Sequence, residues 1–295
     1  MPVIEHYDAL IEMAKAKREV KVVVPSPESE NLIEGLAMAS HLAYPILVGD
    51  EKKIRPLLEK CGLEADVINV PDMHEALYKA LEIVRGGGAD MIMKGKDDTP
   101  TFMHAVLDKE KGIRTGKLLS HITCLEIPGY HKLLFVTDAG IIIRPNLEQK
   151  LNMMDNLLGV LKKLGYDRPK IAMLASLEVP SPDMPETLEA AAMAKFAERG
   201  RFGSAIVDGP LALDVALDPE SVKIKGLSGE VMGDADVLFV PDVVTGNVFC
   251  KAMVLFARAK MGGFIAGAKV PIVFLSRADT PERKLYSIAF AVAAG

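Results

Sequence analysis

Short apolar runs rich in β-branched residues alternate with segments of helical periodicity along most of this chain. The run at residues 20–24 is followed by Pro25, and the run at residues 45–48 is followed by Gly49. Between the two runs, Leu32, Leu36 and Ala39 recur at helical spacing. A strand, a helix and a second strand in succession form a βαβ unit, whose strands are parallel. The pattern therefore predicts an α/β protein with a mostly parallel sheet.

The same alternation continues to the end of the chain. The clearest helix opens at Pro145-Asn146, carries apolar residues at three- and four-residue steps as far as Leu161, and is followed by Gly165. Residues 217–233 are less regular and predict either an inserted loop or a flap. At 295 residues the chain exceeds the usual size of one core, so two packed units are expected. Further strands are predicted at residues 66–70, 90–95, 133–140, 170–175, 205–207, 237–240 and 272–275, with a late helix at residues 247–260.

Polar or charged residues directly follow several of these strands. Asp208, Asp242 and the pair Ser276-Arg277 each come where an apolar run stops. A single Asp in such a place is commonly a turn former or a helix N-cap. Their recurrence also indicates a ligand site, because ligands in open α/β sheets bind beyond the carboxyl ends of the strands.

Ser276 and Arg277 are the most specific of these residues. A guanidinium offers a planar fork that matches phosphate or carboxylate, and a neighbouring hydroxyl can donate to a developing oxyanion. The pair therefore predicts an anionic ligand. The alternative interpretation is an exposed Arg277 that pairs with Asp279 or Glu282.

Composition argues against several other classes of function. The chain carries 35 basic and 40 acidic residues without a basic run, which speaks against a nucleic-acid partner. It begins without the apolar core of a signal peptide and has no apolar run as long as a membrane span, so we expect a cytoplasmic protein with no membrane partner. Three separated Cys and six scattered His residues predict neither a disulfide framework nor a metal site.

Several short blocks of sequence occur in a fixed order. They are Met93-Lys94-Gly95, Arg114-Thr115-Gly116, Pro128-Gly129-Tyr130-His131-Lys132, Asp208-Gly209-Pro210, Pro241-Asp242 with Gly246-Asn247 and Lys251, and Ser276-Arg277-Ala278-Asp279 with Lys284 and Ser287. Together they resemble the signature blocks of the phosphate acetyltransferase and butyryltransferase family. The upstream blocks are more similar to its butyryltransferase branch.

The resemblance implies a fold and a reaction. The fold would be two doubly wound α/β domains with a cleft between them, of the isocitrate and isopropylmalate dehydrogenase type, with residues 1–137 and 268–295 in the first domain and residues 138–267 in the second. The reaction would be acyl transfer between coenzyme A and inorganic phosphate, with a short acyl group such as butyryl or acetyl. A homodimer is implied, with acyl-CoA and phosphate as substrates and no metal or other cofactor.

The resemblance also implies roles for individual residues. Ser276 would stabilise the thioester carbonyl and Arg277 the phosphate, while Asp279 or Glu282 would take the thiol proton of CoA. The substrate-binding residues that it implies are Lys94, Thr99, His104, Arg114, Asp208, Asp242, Asn247 and Lys251.

Two features depart from the family pattern. Acetyltransferases carry a catalytic Asp at the position of Arg283, and relatives commonly carry Arg or Lys at the position of His104, which here follows the acidic pair Asp97-Asp98. A paralogue that binds CoA or acyl phosphate without catalysis therefore stays open as an alternative. A metal-dependent decarboxylating dehydrogenase of the same fold is a further alternative, although the chain shows neither a clear Asp cluster nor a dinucleotide loop.

Overall fold

The computed structural model describes residues 3–275 and 279–295 of the chain. Helices and strands alternate throughout, as the sequence predicts. In chain order they are α1 (Tyr7–Lys15), β1 (Lys21–Pro25), α2 (Glu30–Met38), β2 (Tyr44–Gly49), α3 (Glu51–Cys61), β3 (Asp66–Asn69), α4 (Met73–Arg85), β4 (Met91–Met93), α5 (Thr99–Leu107), β5 (Ser120–Glu126), β6 (Leu134–Thr137), α6 (Leu147–Lys163), β7 (Lys170–Leu174), α7 (Pro185–Glu198), β8 (Ile206–Leu211), α8 (Leu213–Leu217), α9 (Pro219–Ile224), β9 (Val237–Phe239), α10 (Val243–Phe256), β10 (Lys260–Ala266), β11 (Ile272–Val273) and α11 (Pro281–Ala293).

The chain divides into two units. The flanking unit, as we name it, comprises Tyr7–Leu119 and Met261–Gly295. Its strands follow the order β3-β2-β1-β4-β11-β10 and pair in parallel, except that β10 and β11 are antiparallel. Val22, Val23 and Val24 of β1 are fully buried, as expected of a strand in the middle of a parallel sheet that helices cover on both faces.

The central unit comprises Ser120–Lys260 together with residues 3–6. Its strands follow the order β5-β6-β9-β7-β8, and only β5 and β6 are antiparallel. The predicted boundary after residue 137 would put β5 and β6 in the other domain. In the structure β6 pairs with β9, with Phe135 opposite Val237, and this pairing keeps both strands in the central unit.

Helix α6 begins where its sequence predicts. The Asn146 side chain accepts a hydrogen bond from the Gln149 backbone N–H at 2.9 Å, and the Gln149 side chain accepts one from the Asn146 N–H at 3.0 Å. This reciprocal capping box satisfies two N–H groups that a helix start otherwise leaves unpaired. Asn146 and Gln149 thus fix the first turn of α6 locally.

The structure differs from the sequence predictions in several places. Strands β5 and β10 were not expected, and the helix predicted over residues 247–260 begins at Val243 and ends at Phe256. Residues 217–233 contain the helix α9, whose N-cap Asp218 accepts hydrogen bonds from Glu220 and Ser221, so part of this stretch is regular. Among the helices of residues 3–275 and 279–295, none combines the length and apolar character needed to cross a membrane.

Candidate active site

Strands β1, β4 and β11 end side by side in the flanking unit. The residue after β4, Lys94, donates its backbone N–H to the Val273 carbonyl at 3.0 Å, and its Nζ lies 6.0 Å from the centre of the Phe274 ring. Next comes Gly95, where a Cβ atom would lie 1.8 Å from the Pro25 carbonyl oxygen. Only glycine lets the chain pass so close to β1, and this passage holds Lys94 at the sheet edge.

A cavity of about 360 Å³ lies at this edge. It is bordered by the start of α2, the start of α4, the segment after β4, the end of β11 and one residue of α11. Of the substrate-binding residues implied by the resemblance, Lys94 lines it. The full lining is Ser29, Asn31, Leu32, Met73, Met93, Lys94, Gly95, Lys96, Leu275 and Lys284.

The predicted catalytic pair, Ser276 and Arg277, lies outside the described residues. The next described residue, Asp279, is buried, and its carboxylate accepts a hydrogen bond from Arg283 Nη1 at 2.6 Å. The Asp279 carbonyl oxygen accepts another from Lys284 Nζ at 2.7 Å. Arg283 therefore forms an ion pair with Asp279, one of the two candidate bases.

Glu282, the other candidate base, lies exposed in the first turn of α11. A hydrogen bond from the Thr280 hydroxyl lowers the pKa of the Glu282 carboxyl below its usual range. A lowered pKa makes the carboxylate a weaker base.

The segment before α5 contains the acidic pair that departs from the family pattern. Asp98 is the N-cap of α5, and its carboxylate accepts hydrogen bonds from the Thr101 N–H at 2.9 Å and the Thr101 hydroxyl at 2.8 Å. The Asp98 carboxylate therefore occupies the start of this helix. Asp97 is buried, and burial raises the pKa of its carboxyl.

Three other residues implied by the resemblance do not line this cavity. Thr99 and His104 lie exposed on α5. Arg114 is also exposed, in an isolated antiparallel bridge with Ala268. Their proposed contacts with substrate stay predictions.

The residues predicted around α10 lie in the central unit. Asp242 is the N-cap of α10, and its Oδ1 accepts hydrogen bonds from the Thr245 N–H at 2.8 Å and the Thr245 hydroxyl at 2.9 Å. Asn247 donates from Nδ2 to the Ala139 carbonyl at 3.3 Å, and Lys251 is exposed. The helix-cap interpretation of an Asp after a strand therefore applies to Asp242.

Asp208 is not brought next to Asp242. It lies within β8, opposite Ala172 of β7, and β7 separates β8 from β9. Its Oδ1 accepts a hydrogen bond from the N–H of the following residue, Gly209, at 2.8 Å. Asp208 therefore lies inside β8, which continues to Leu211, and not at the end of the strand where the sequence predicts it.

Sequence reasoning did not assign a role to two residues of the cavity. Lys284 and Asn31 contact each other through Nζ and Oδ1, although they lie on different helices far apart in sequence. One signal could have indicated Lys284: it shares a helical face with Ser287, Ile288 and Ala291, all of which are buried. A lysine on an otherwise buried face calls for a specific partner.

The fold and the lysine-lined cavity define an α/β protein with a site suited to an anion. The family described as Phosphate acetyl/butaryl transferase matches residues 70–292. The phosphate butyryltransferase of Clostridium acetobutylicum is 39% identical over 293 residues, covering 98% of this chain and 97% of the relative. The phosphate acetyltransferase of Thermotoga maritima is 39% identical over 287 residues, covering 96% and 97%.

A solved structure agrees with these relatives. The branched-chain phosphotransacylase of Enterococcus faecalis V583 superposes with a TM-score of 0.83 at 30% identity, covering 93% of this chain and 98% of that one. The chain belongs to the phosphate acetyl/butyryl transferase family. The family resemblance and the α/β fold predicted from the sequence are confirmed.

Proposed function

We propose that this protein transfers a short acyl group reversibly between coenzyme A and inorganic phosphate. The observation that carries the proposal is the similarity, over nearly the whole chain, to a phosphate butyryltransferase and a phosphate acetyltransferase. The lysine-lined cavity at the end of β11 supports it, because a phosphate or acyl phosphate needs cations around it. The proposal includes no metal or other cofactor.

In the proposed step a phosphate oxygen attacks the thioester carbonyl carbon. A new C–O bond forms, the C–S bond breaks, and the sulfur leaves as the CoA thiolate, which takes up a proton. Arg277 holds the phosphate, and the Ser276 hydroxyl donates to the carbonyl oxygen as it becomes an oxyanion. In the reverse direction Asp279 or Glu282 takes the proton of the CoA thiol, whose ordinary pKa is about 8.5.

The remaining implied residues contact the substrates in this proposal. Lys94 binds an anionic oxygen at the sheet edge of the flanking unit. The other residues contact CoA or phosphate in this proposal. They are Thr99, His104, Arg114, Asp208, Asp242, Asn247 and Lys251.

The test is release of free CoA, followed with a thiol reagent, from acetyl-, propionyl- and butyryl-CoA. We expect release that depends on phosphate and that is not supported by sulfate at equal ionic strength, because sulfate is a similar oxyanion that does not yield a stable acyl product. Absence of phosphate-dependent release with all three thioesters would refute the proposed activity. A thermal shift with CoA in that case would instead favour the binding paralogue.

We further propose that the protein works in the cytoplasm as a homodimer. Helix α10 supports the dimer, since it carries an exposed apolar face. Val244, Val248 and Leu255 are each more than 60% exposed and lie at helical spacing, and Phe256 beside them is 85% exposed. An apolar face of this kind is typical of a surface that another chain covers.

The dimer is testable by sedimentation velocity at micromolar concentration. Val248→Glu would bury a charge in the interface, so we expect the variant to sediment as a monomer while the wild type sediments as a dimer. Val179→Glu is the matched control, because Val179 is 63% exposed but lies outside α10. A wild type that sediments as a monomer, or a Val248→Glu variant that stays dimeric, would contradict this interface.

A further inference from the structure

Two lysine side chains are buried at the cavity in the flanking unit. Lys94 is 6% exposed and Lys284 is 5% exposed, and both line the cavity together with Lys96. Lysine is rarely buried to this extent unless another group compensates its charge. The groups around each ammonium therefore indicate what the cavity can bind.

The ammonium of Lys284 is held by uncharged oxygens. Its Nζ donates to Asn31 Oδ1 and, at 2.7 Å, to the carbonyl oxygen of Asp279. The carboxylate of Asp279 pairs instead with Arg283. Within residues 3–275 and 279–295, Lys284 forms no ion pair with a carboxylate. Burial lowers the pKa of Lys284 more than the nearby carboxylates raise it, which is the sign of a charge that lacks a close counter-ion.

The path of the Lys284 side chain is built into the packing of α2 and α11. A Cβ atom at Gly35 of α2 would lie 2.5 Å from Cδ of Lys284, so the glycine makes room for the aliphatic stem. The stem thus crosses α2 and places its Nζ beside Asn31, in the first turn of that helix. The lysine is therefore fixed at the cavity and does not reach solvent as a surface lysine would.

The start of α2 adds partial positive charge on the same side. Ser29 is its N-cap residue, but the Ser29 side chain makes no cap hydrogen bond, and Ser29 and Asn31 line the cavity. The first turn of a helix presents N–H groups that favour a bound anion. Together with the two buried ammonium groups, it makes the polar end of the cavity cationic.

The rest of the cavity wall is apolar. Leu32, Met73, Met93 and Leu275 supply it, and methionine side chains adapt readily to ligands of different shape. A volume of about 360 Å³ also leaves space for more than one phosphate group. A ligand that fits both parts has an oxyanion at one end and a short apolar chain at the other.

We propose that this cavity binds an acyl phosphate, with Lys94 and Lys284 at the phosphoryl oxygens and the apolar wall along the acyl chain. This inference rests on the proposed function, in which acyl phosphate is a reactant. It adds Lys284 as a substrate-binding residue and places the acyl chain against Leu32, Met73, Met93 and Leu275.

The test uses Lys284→Met, which keeps the length of the side chain and removes its charge. Thermal shift without CoA should show that butyryl phosphate stabilises the wild type more than equal inorganic phosphate does, and that Lys284→Met loses the stabilisation. The KM for butyryl phosphate should rise about 10- to 100-fold, while the KM for CoA changes little, because hydrogen bonds to charged groups are among the stronger ones. Lys79→Met, which removes a partly exposed lysine paired with Glu82 outside the cavity, should behave like the wild type.

The variant should fold, because replacing a buried charge by an apolar side chain of similar volume is often neutral or stabilising. Lys94→Met should show the same loss of binding and serves as the second variant. Unchanged binding of butyryl phosphate in both variants would overturn the inference, even if the wild type is an active transferase. Loss of binding in both variants with an inactive wild type would keep the subsite and refute the proposed function. Equal stabilisation by inorganic and butyryl phosphate would overturn the acyl-chain contact.

Discussion

Lys132→Ala is expected to lower the free energy of unfolding by about 3–5 kcal/mol, the range for breaking a buried ion pair by removing one partner. Lys132 is buried, and its Nζ lies 2.6 Å from Asp236 Oδ1 and 2.9 Å from Asp234 Oδ1. Without the ammonium, the buried Asp236 carboxylate keeps the Lys170 backbone N–H at 2.7 Å but loses the lysine cation. Urea unfolding followed by far-UV circular dichroism measures the change, because the chain has no Trp to report by fluorescence.

This loss should depend on pH in a defined direction. Burial alone would raise the pKa of Asp234, but hydrogen bonds from Lys170 and Lys132 outweigh it and lower the pKa to about 2. A carboxyl whose folded pKa lies below its unfolded value of about 3.9 adds stability above that value and loses it as pH falls through the folded pKa. The difference in the free energy of unfolding between wild type and Lys132→Ala should therefore be largest above about pH 4 and should decrease towards pH 2.

Two controls separate the buried pair from charge effects in general. Lys15→Ala removes an exposed lysine paired with Glu12 and should cost less than about 1 kcal/mol. The double variant Lys132→Met/Asp236→Leu removes both buried charges and should recover much of the lost stability. If Lys132→Ala costs no more than Lys15→Ala, the buried pair does not stabilise the fold as we describe.

The parallel strands and most helices could be predicted because their signals are local. Strand β1 is a run of valines, and α6 carries its cap and its apolar periodicity within the helix itself. Strand β10 gives no such signal, because it contains Gly262 and Gly263, which weaken a strand pattern. A Cβ at Gly262 would lie 2.7 Å from the Ser287 backbone nitrogen. The close approach of helix α11, which is distant in sequence, therefore requires glycine at this position.

Residues of the candidate site could be predicted only where they directly follow a predicted strand. Lys94 was found because it follows β4 directly, and it lines the cavity. Asp242 was found in the same way, but its Oδ1 caps α10. Lys284 was not assigned a role, since its placement depends on Gly35 and Asn31 at the other end of the chain. A sequence pattern shows which residue ends a strand. It does not show which helix, distant in sequence, leaves space for a side chain such as that of Lys284.

The candidate base Asp279 is a second case in which the sequence pattern does not show the contact that the side chain makes. The family resemblance implies an acid at the position of Arg283, and from the sequence alone Asp279 is a candidate to take its place. In the structure the Arg283 guanidinium binds the Asp279 carboxylate. Arg283 therefore places a cation directly against one of the two candidate bases, which the sequence pattern alone does not show.

Arg277→Ala is expected to lower kcat/KM for CoA release by about 10²- to 10³-fold, the range for losing one group that stabilises transition-state charge. In the proposed step the phosphate keeps its negative charge while the thioester carbonyl becomes an oxyanion, so a cation is needed throughout. A guanidinium can hold two phosphate oxygens at once through its planar fork, whereas a lysine ammonium acts as a point charge. Arg277→Lys should therefore recover only part of the lost rate.

Steady-state release of CoA at varied phosphate, with circular dichroism to verify folding, measures the effect of Arg277→Ala. Arg199→Ala is the control, because Arg199 is an exposed arginine just after α7 in the central unit. If the Arg277→Ala loss appears wholly in the KM for phosphate, Arg277 binds the ground state and the transition state equally. If Arg277→Lys is as active as the wild type, the charge alone suffices and the fork geometry has no part. An Arg277→Ala variant with wild-type kinetics would remove Arg277 from the site and leave Lys94 and Lys284 as the cations for the phosphoryl group.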